Sequence, residues 1–218
     1  MLRGAGPDAQ DGHQMALRIF PEDELVLDLL ADMSGQVTAS VRLLSELIGS
    51  PEVDAATLDG IRECEARSTD LYFSVMTTVR STFVIPVPRQ DVYVLGHWLN
   101  KAAEELLAVA EAHVAHGLTR PPSYATDQLG VIVRMSELTT RAMRDLAGLQ
   151  GLDDYWYEML RLGKQAERIH QLHMAYLLEH HKAVPALRRQ QAAQRFVEAA
   201  RALVRVSTEV GRIVVAES

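Results

Sequence analysis

Two prolines, Pro86 and Pro88, stand between two long stretches that contain no comparable helix breaker, and they constrain the fold more than any other feature. A proline inside a helix removes a backbone donor and clashes with the preceding turn, and the residue before a proline avoids helical dihedral angles. Segment 82–91 is therefore predicted to be a tight corner between two helices. Arg89 and Asp91 are expected to open the second of them.

Apolar residues recur at three- and four-residue steps on both sides of this corner, which is the periodicity of amphipathic helices. Glycine and proline clusters divide the pattern into six predicted helices, which span 21–48, 53–83, 89–116, 124–149, 153–181 and a final stretch that follows a join at Val184 and Pro185 and ends near 216. No stretch shows strand-like alternation, so the predicted fold class is all-α.

The six predicted helices form two sets of three, which suggests an internal repeat of segments 21–117 and 123–217. Segments 99–109 and 196–206 share two alanines, a leucine and a valine at equivalent positions, although an alanine-rich chain produces such a match readily by chance. Two antiparallel three-helix bundles packed together would accommodate all six helices. Residues 1–20 are predicted to be a disordered leader, and 21–218 a single helical domain.

Composition excludes several classes of function. The formal net charge of −7 argues against a nucleic-acid partner, because affinity for phosphate backbones comes from clustered lysine and arginine. Cys64 is the only cysteine, so neither an intrachain disulfide nor a cysteine zinc site can form. No apolar run approaches the ~18 residues of a spanning helix. We therefore expect a soluble, cytoplasmic protein that does not insert directly into a membrane.

Catalytic motifs are absent from the sequence. It contains no nucleophile elbow, phosphate-binding glycine loop, dinucleotide fingerprint or paired-histidine zinc motif, and we predict that the protein is not an enzyme. One Glu-x-x-His spacing joins Glu167 and His170, whereas a ferritin-like di-iron centre needs two such pairs and two further glutamates. A solvated helix face is the simpler interpretation. His180 and His181 at a predicted helix end favour a contact with the helix dipole.

The corner also carries a family resemblance. Thr82-Phe83-Val84-Ile85-Pro86, followed by Arg89 and Asp91, is similar to the Thr-Phe-Ile-Thr-Pro-Phe-Asp-Arg-Glu-Asp signature of PhoU-like phosphate transport regulators. Segment 154–170 resembles the Glu-Tyr-Trp-x-Glu…Gln-Ile-His segment of one branch, the accessory proteins of Pit-type inorganic phosphate transporters. The resemblance covers nearly all of the chain after residue 20. Its family-signature residues are Thr82, Phe83, Pro86, Arg89 and Asp91.

This resemblance implies a fold and a function. The fold would be two three-helix bundles, in agreement with the helix pattern. The function would be that of an accessory or regulatory protein that contacts a membrane phosphate transporter or a signalling partner, and that lies at the inner membrane through this partner. The family also holds iron or zinc clusters on Glu/Asp-x-x-x-Asp pairs, whose carboxylates lie one turn apart on one helix face.

Most of the metal-binding positions are replaced in this chain. The resemblance assigns them to Glu65 and Thr69 on predicted helix two, Asn100, Lys101 and Glu104 on helix three, Gly163 and Glu167 on helix five, and Val197 and Arg201 on helix six. A cation site that faces Lys101 or Arg201 is disfavoured by like charge. We therefore expect no resident iron or zinc, and predict instead a salt bridge between Glu167 and Arg201.

The sequence leaves alternatives open for metal binding and for function. Glu65, Asn100 and Glu104 could still form a weak site for a single ion, while Glu167 is the only candidate ligand left in the second half. Pro88 stands where the family has a capping aspartate, so the third helix is predicted to lack its side-chain cap. Besides a regulator, the sequence allows a metal-binding helical protein and a helical scaffold or homodimer.

Overall fold

The computed structural model describes residues 21–50, 55–82, 85, 87–118, 122–149 and 151–217. They form six α-helices: α1 (Pro21–Gly49), α2 (Ala55–Ser81), α3 (Arg89–Ala115), α4 (Ser123–Arg144), α5 (Leu152–His180) and α6 (Ala183–Glu217). These ranges contain no β-strand, and the all-α prediction is confirmed. The predicted leader 1–20, together with Phe83 and Pro86 of the corner, lies outside the described residues.

Two predicted boundaries were wrong. Helix α4 ends at Arg144 and not near Leu149, because the following residues form turns in which Gly148 N–H donates to the Asp145 carbonyl and Leu149 adopts a positive φ of 54°. Helix α6 begins at Ala183, so that Pro185 lies in its first turn and not in a join. A proline is tolerated there because the first N–H groups of a helix have no partner within the helix.

The helices pack as two sets of three. Within α1–α3 and within α4–α6 each helix contacts the other two, and the sets meet where α3 packs against α6 and α1 against α4. A contiguous apolar core is built from all six helices. In the described part of the chain, no helix is both long enough and apolar enough to cross a bilayer.

Helix α6 runs antiparallel to α3 and is flanked on its other side by α5. Arg212 near the end of α6 pairs with Asp91 at the start of α3, while Gln191 near the start of α6 bonds His116 just beyond the end of α3. Helices α5 and α6 are also antiparallel. The polar side chains of α3 and α5 are thereby brought to the two sides of α6.

Two glycines allow α5 and α6 to approach closely. A Cβ atom on Gly163 would lie 2.6 Å from Val204 Cγ2, and one on Gly211 would lie 2.5 Å from Trp156 Cδ2. Real Cβ atoms do not approach other heavy atoms that closely, since van der Waals repulsion rises steeply at such distances. The separation of the two helices therefore depends on the absence of side chains at these positions.

Candidate functional site

The predicted corner between α2 and α3 is held by hydrogen bonds to two backbone carbonyls. An NH2 group of Arg89 donates to the Thr82 carbonyl at 2.8 Å. Pro88 occupies the N-cap position of α3 without a side-chain hydrogen bond, and its carbonyl accepts from the N–H groups of Asp91 and Val92 at 2.9 and 3.2 Å. The predicted loss of the side-chain cap is therefore confirmed.

Asp91 joins the corner to the last helix. Its side chain is buried, one carboxylate oxygen pairs with Arg212, and the other has no hydrogen-bond partner among the described residues. Arg212 also pairs with Glu209 at 2.7 Å. Glu209, and then Asp91, raise the pKa of the Arg212 guanidinium further above its usual range. Asp91 therefore does more than open α3, because it also anchors α6 to the corner.

The residual metal candidates of the first half do lie together. Thr69 Oγ1 is 3.2 Å from Glu65 Oε1 and 3.2 Å from Asn100 Oδ1, so it links α2 to α3. Asn100 Nδ2 donates to Glu104 Oε1 at 3.2 Å. The sequence therefore identified residues that meet. Because the Thr69 hydroxyl has one proton and both neighbouring oxygens are acceptors, it donates either to Glu65 or to Asn100.

This donor set does not fit an iron or zinc cluster. Lys101 Nζ lies 2.9 Å from Glu104 Oε2 and 3.0 Å from Glu105 Oε1, and these two carboxylates raise the pKa of Lys101. The ammonium group thus neutralises the carboxylate that a metal would need. Across the described ranges, no group of three or more histidine, cysteine, aspartate or glutamate side chains is arranged to hold a metal ion.

In the second half, the predicted salt bridge between α5 and α6 is confirmed. Arg201 Nε donates to Glu167 Oε1 at 2.6 Å, and Arg201 NH1 donates to Glu198 Oε1 at 2.6 Å. The pKa of Arg201 is raised, first by Glu167. At a position to which the resemblance assigns a metal ligand, the chain therefore has an arginine that links the two helices directly.

We expect this bridge to contribute about 0.5–1 kcal/mol, because both side chains remain well exposed to water. A double-mutant cycle with Glu167→Ala and Arg201→Ala, read from the free energy of unfolding in urea, measures the coupling. The same cycle on Glu158 and Arg161, an ion pair within α5 alone, is the control. A coupling between Glu167 and Arg201 indistinguishable from zero would contradict the prediction.

An open groove lies along α6 between α3 and α5, with a volume of about 880 Å³. Gly163, Glu167 and Arg201 all line it, so it coincides with the positions in the second half of the chain to which the resemblance assigns metal ligands. On the α3 side, the guanidinium carbon of Arg205 lies 5.8 Å from the centre of the Trp98 ring. Sequence reasoning did not find this groove, because it depends on which faces of three helices meet.

A second feature absent from the sequence prediction is a pair of buried histidines, His113 and His173. Both line a small cavity of about 30 Å³, which has room for a single water molecule. His173 Nδ1 is 3.4 Å from Gln128 Oε1, and its Nε2 has no partner among the described residues. Burial, together with the positive charges of His170, Arg189 and His181, lowers the pKa of His173 to about 4.

His173 is therefore expected to make the protein less stable in acid. Its pKa is lowered from the ordinary 6.5 to about 4 on folding, so between these values the unfolded chain binds more protons than the folded one. The contribution is complete above about pH 6.5 and is lost as the pH falls toward 4. At about 1.4 kcal/mol per pKa unit, His173 alone should account for about 2 kcal/mol between pH 7 and pH 5.

Urea unfolding at pH 7 and pH 5 checks this expectation. The His173→Leu variant should lose about 2 kcal/mol less stability over this interval than the unmodified protein. Leu178→Ala, which changes an exposed side chain of the same helix that does not titrate, should leave the pH dependence unchanged. Equal pH dependence for the His173 variant and the unmodified protein would show that His173 does not carry the effect.

Comparison with solved structures identifies the fold. The chain superposes on the crystal structure of a PhoU-like protein from Shewanella oneidensis MR-1 with a TM-score of 0.68 and 14% sequence identity, covering 88% of this chain and 99% of that one. The fold is therefore PhoU-like, as predicted. No protein-family model matches the chain. No curated protein matches it either.

Proposed function

We propose that this chain is a non-enzymatic regulator of inorganic phosphate transport that acts by direct contact with a membrane transporter or a signalling protein. The observation that carries the proposal is the likeness of its fold to that of a PhoU-like protein. The corner supports it, because Thr82, Arg89 and Asp91 take part in the contacts that fix α3 against α2 and α6. These are the described members of the family-signature set.

The proposal extends to the partner and to the place of action. The segment 154–170, in α5, carries the resemblance to accessory proteins of Pit-type transporters. We therefore propose such a transporter as the partner and the cytoplasmic side of the inner membrane as the location. The protein would reach the membrane through this partner and not through a spanning helix.

Site-specific crosslinking in cells tests the partner. A photoreactive amino acid is placed at Tyr93 on α3 or at Tyr157 on α5, whose side chains are 50% and 64% exposed on different helix sets. At least one position should yield an adduct with a phosphate transporter or a phosphate-signalling protein. A buried control at Leu99, where the side chain is fully enclosed, should yield none.

Deletion of the gene tests the function. Loss of the protein should change phosphate uptake or phosphate-responsive expression, and expression of the unmodified chain should restore it. Unchanged uptake and expression in the deletion strain would contradict the proposal, whatever proteins are crosslinked. The fold assignment does not depend on this outcome.

We further propose that the protein works without a resident iron or zinc cluster. The observation that favours the alternative, a metal-binding protein, is the gathering of Glu65, Asn100 and Glu104 across α2 and α3. Metal analysis of protein purified without added ions separates the two. Stoichiometric iron or zinc that is lost in the Glu65→Gln, Glu104→Gln double variant would establish the alternative. Analytical sedimentation of the same samples measures the oligomeric state and so tests the third alternative, a helical scaffold or homodimer.

A further inference from the structure

The groove along α6 has more positive than negative charge, although the chain as a whole has a formal net charge of −7. Five cationic side chains and three carboxylates line it. The cationic residues are Lys101, Lys164, Arg168, Arg201 and Arg205, and the acidic residues are Glu105, Glu167 and Glu198. Such a local excess on an acidic protein attracts anions toward one surface.

The ion pairs of the groove engage all three of its carboxylates. Arg201 binds both Glu167 and Glu198, while Glu105 pairs with Lys101 and with Arg195 beyond the groove. Among the described residues, Lys164, Arg168 and Arg205 have no carboxylate within ion-pair distance. The excess positive charge is therefore concentrated on these three side chains.

These three cations lie on two sides of the groove. Lys164 and Arg168 are one helical turn apart, so they project from the same face of α5. Arg205 projects from α6 and lies over the Trp98 ring of α3, which is only partly buried. The groove thus presents a pair of cations on one wall, and an aromatic ring with a guanidinium group on the other.

Apolar residues also line the groove, among them Leu160, Val197 and Val204. A surface that combines apolar area with a few polar groups is typical of small-molecule sites, and the volume of about 880 Å³ falls within their usual range of about 300–1,000 Å³. A solvated charged face without a ligand would explain the cations alone. Packing against the core would explain Trp98 alone. A ligand is favoured because unpaired cations and this ring lie together in one groove of this size.

We propose that this groove binds a phosphorylated compound with a flat ring, of the size of a nucleotide. The phosphate groups would pair with Lys164 and Arg168. The ring would stack on Trp98 in place of the Arg205 guanidinium, which now lies over that ring and would move beside it. Charge-assisted hydrogen bonds supply the affinity for the phosphates, and stacking supplies the preference for an aromatic ring. The positions in the second half of the chain at which the resemblance implies metal ligands would then form part of an anion site.

Calorimetric titration with ATP, tripolyphosphate, adenosine and inorganic phosphate tests both parts of the proposal. ATP should bind most tightly, and tripolyphosphate should bind more weakly because it lacks the ring. The Lys164→Gln, Arg168→Gln double variant should lose on the order of tenfold or more in affinity for ATP, since it removes both charged partners of the phosphate groups. Trp98→Leu should reduce ATP affinity to that of tripolyphosphate.

The matched control is the Arg141→Gln, Arg144→Gln double variant, which removes the same charge from the last turn of α4, outside the groove. It should bind ATP as the unmodified protein does. Equal loss of affinity in this control would mean general charge attraction and would overturn the proposal. So would equal affinity for ATP and tripolyphosphate, or the absence of ATP binding. Thermal melts of each variant establish that the fold is retained.

Discussion

Replacing Arg212 with methionine is expected to lower the free energy of unfolding by about 3 kcal/mol. The cost arises at Asp91, whose buried carboxylate would lose the guanidinium that balances its charge. Removing one partner of a buried ion pair typically costs about 3–5 kcal/mol, and the low end applies because Arg212 itself is half exposed. Urea unfolding monitored by circular dichroism measures the change.

Two further variants separate this mechanism from a general effect of altering α6. The Asp91→Asn, Arg212→Met double variant removes the buried charge, and it should regain a large part of the lost stability. Arg188→Met changes an exposed arginine near the start of α6 and should alter stability by less than about 0.5 kcal/mol. If Arg212→Met costs no more than Arg188→Met, Asp91 does not need its partner.

The helices could be predicted from the sequence because each carries its own apolar periodicity, and glycine or proline residues lie near most of the boundaries between them. The predicted end of α4 was wrong, since its final residues retain an apolar pattern although the turn at Gly148 closes the helix earlier. The first turn of α6 was predicted to be a join because proline breaks a helix when it lies inside one. Pro185 is nevertheless compatible with the start of a helix, where its missing N–H has no partner to lose.

Side-chain contacts in the candidate site could be predicted only between helices whose relative alignment the family resemblance supplied. Glu167 and Arg201 were paired correctly because both occupy corresponding positions on neighbouring helices. Asp91 was assigned to the start of α3, but nothing in the sequence connects it to Arg212, since that contact depends on the antiparallel packing of α3 and α6. The burial of His173 depends in the same way on the rotation of α5 about its axis.

Gly211→Val is expected to cost about 3 kcal/mol of stability, through the contact between α5 and α6. A Cβ atom at this position would already lie 2.5, 2.8 and 2.9 Å from three atoms of the Trp156 indole, and valine adds two methyl groups. A planar ring cannot yield by rotating a flexible end, so α6 must shift away from α5. This cost exceeds the few tenths of a kcal/mol by which valine is a better helix former than glycine.

The size of the Trp156 side chain provides the decisive test of this mechanism. In the Gly211→Val, Trp156→Leu double variant the smaller side chain leaves room for valine, so the loss of stability should be clearly less than the sum of the two single losses. Gly130→Val is the matched control, because Gly130 lies within α4 with no atom within 4 Å of its added Cβ, and it should be nearly neutral. Additive losses in the double variant would show that the cost of Gly211→Val does not come from the indole.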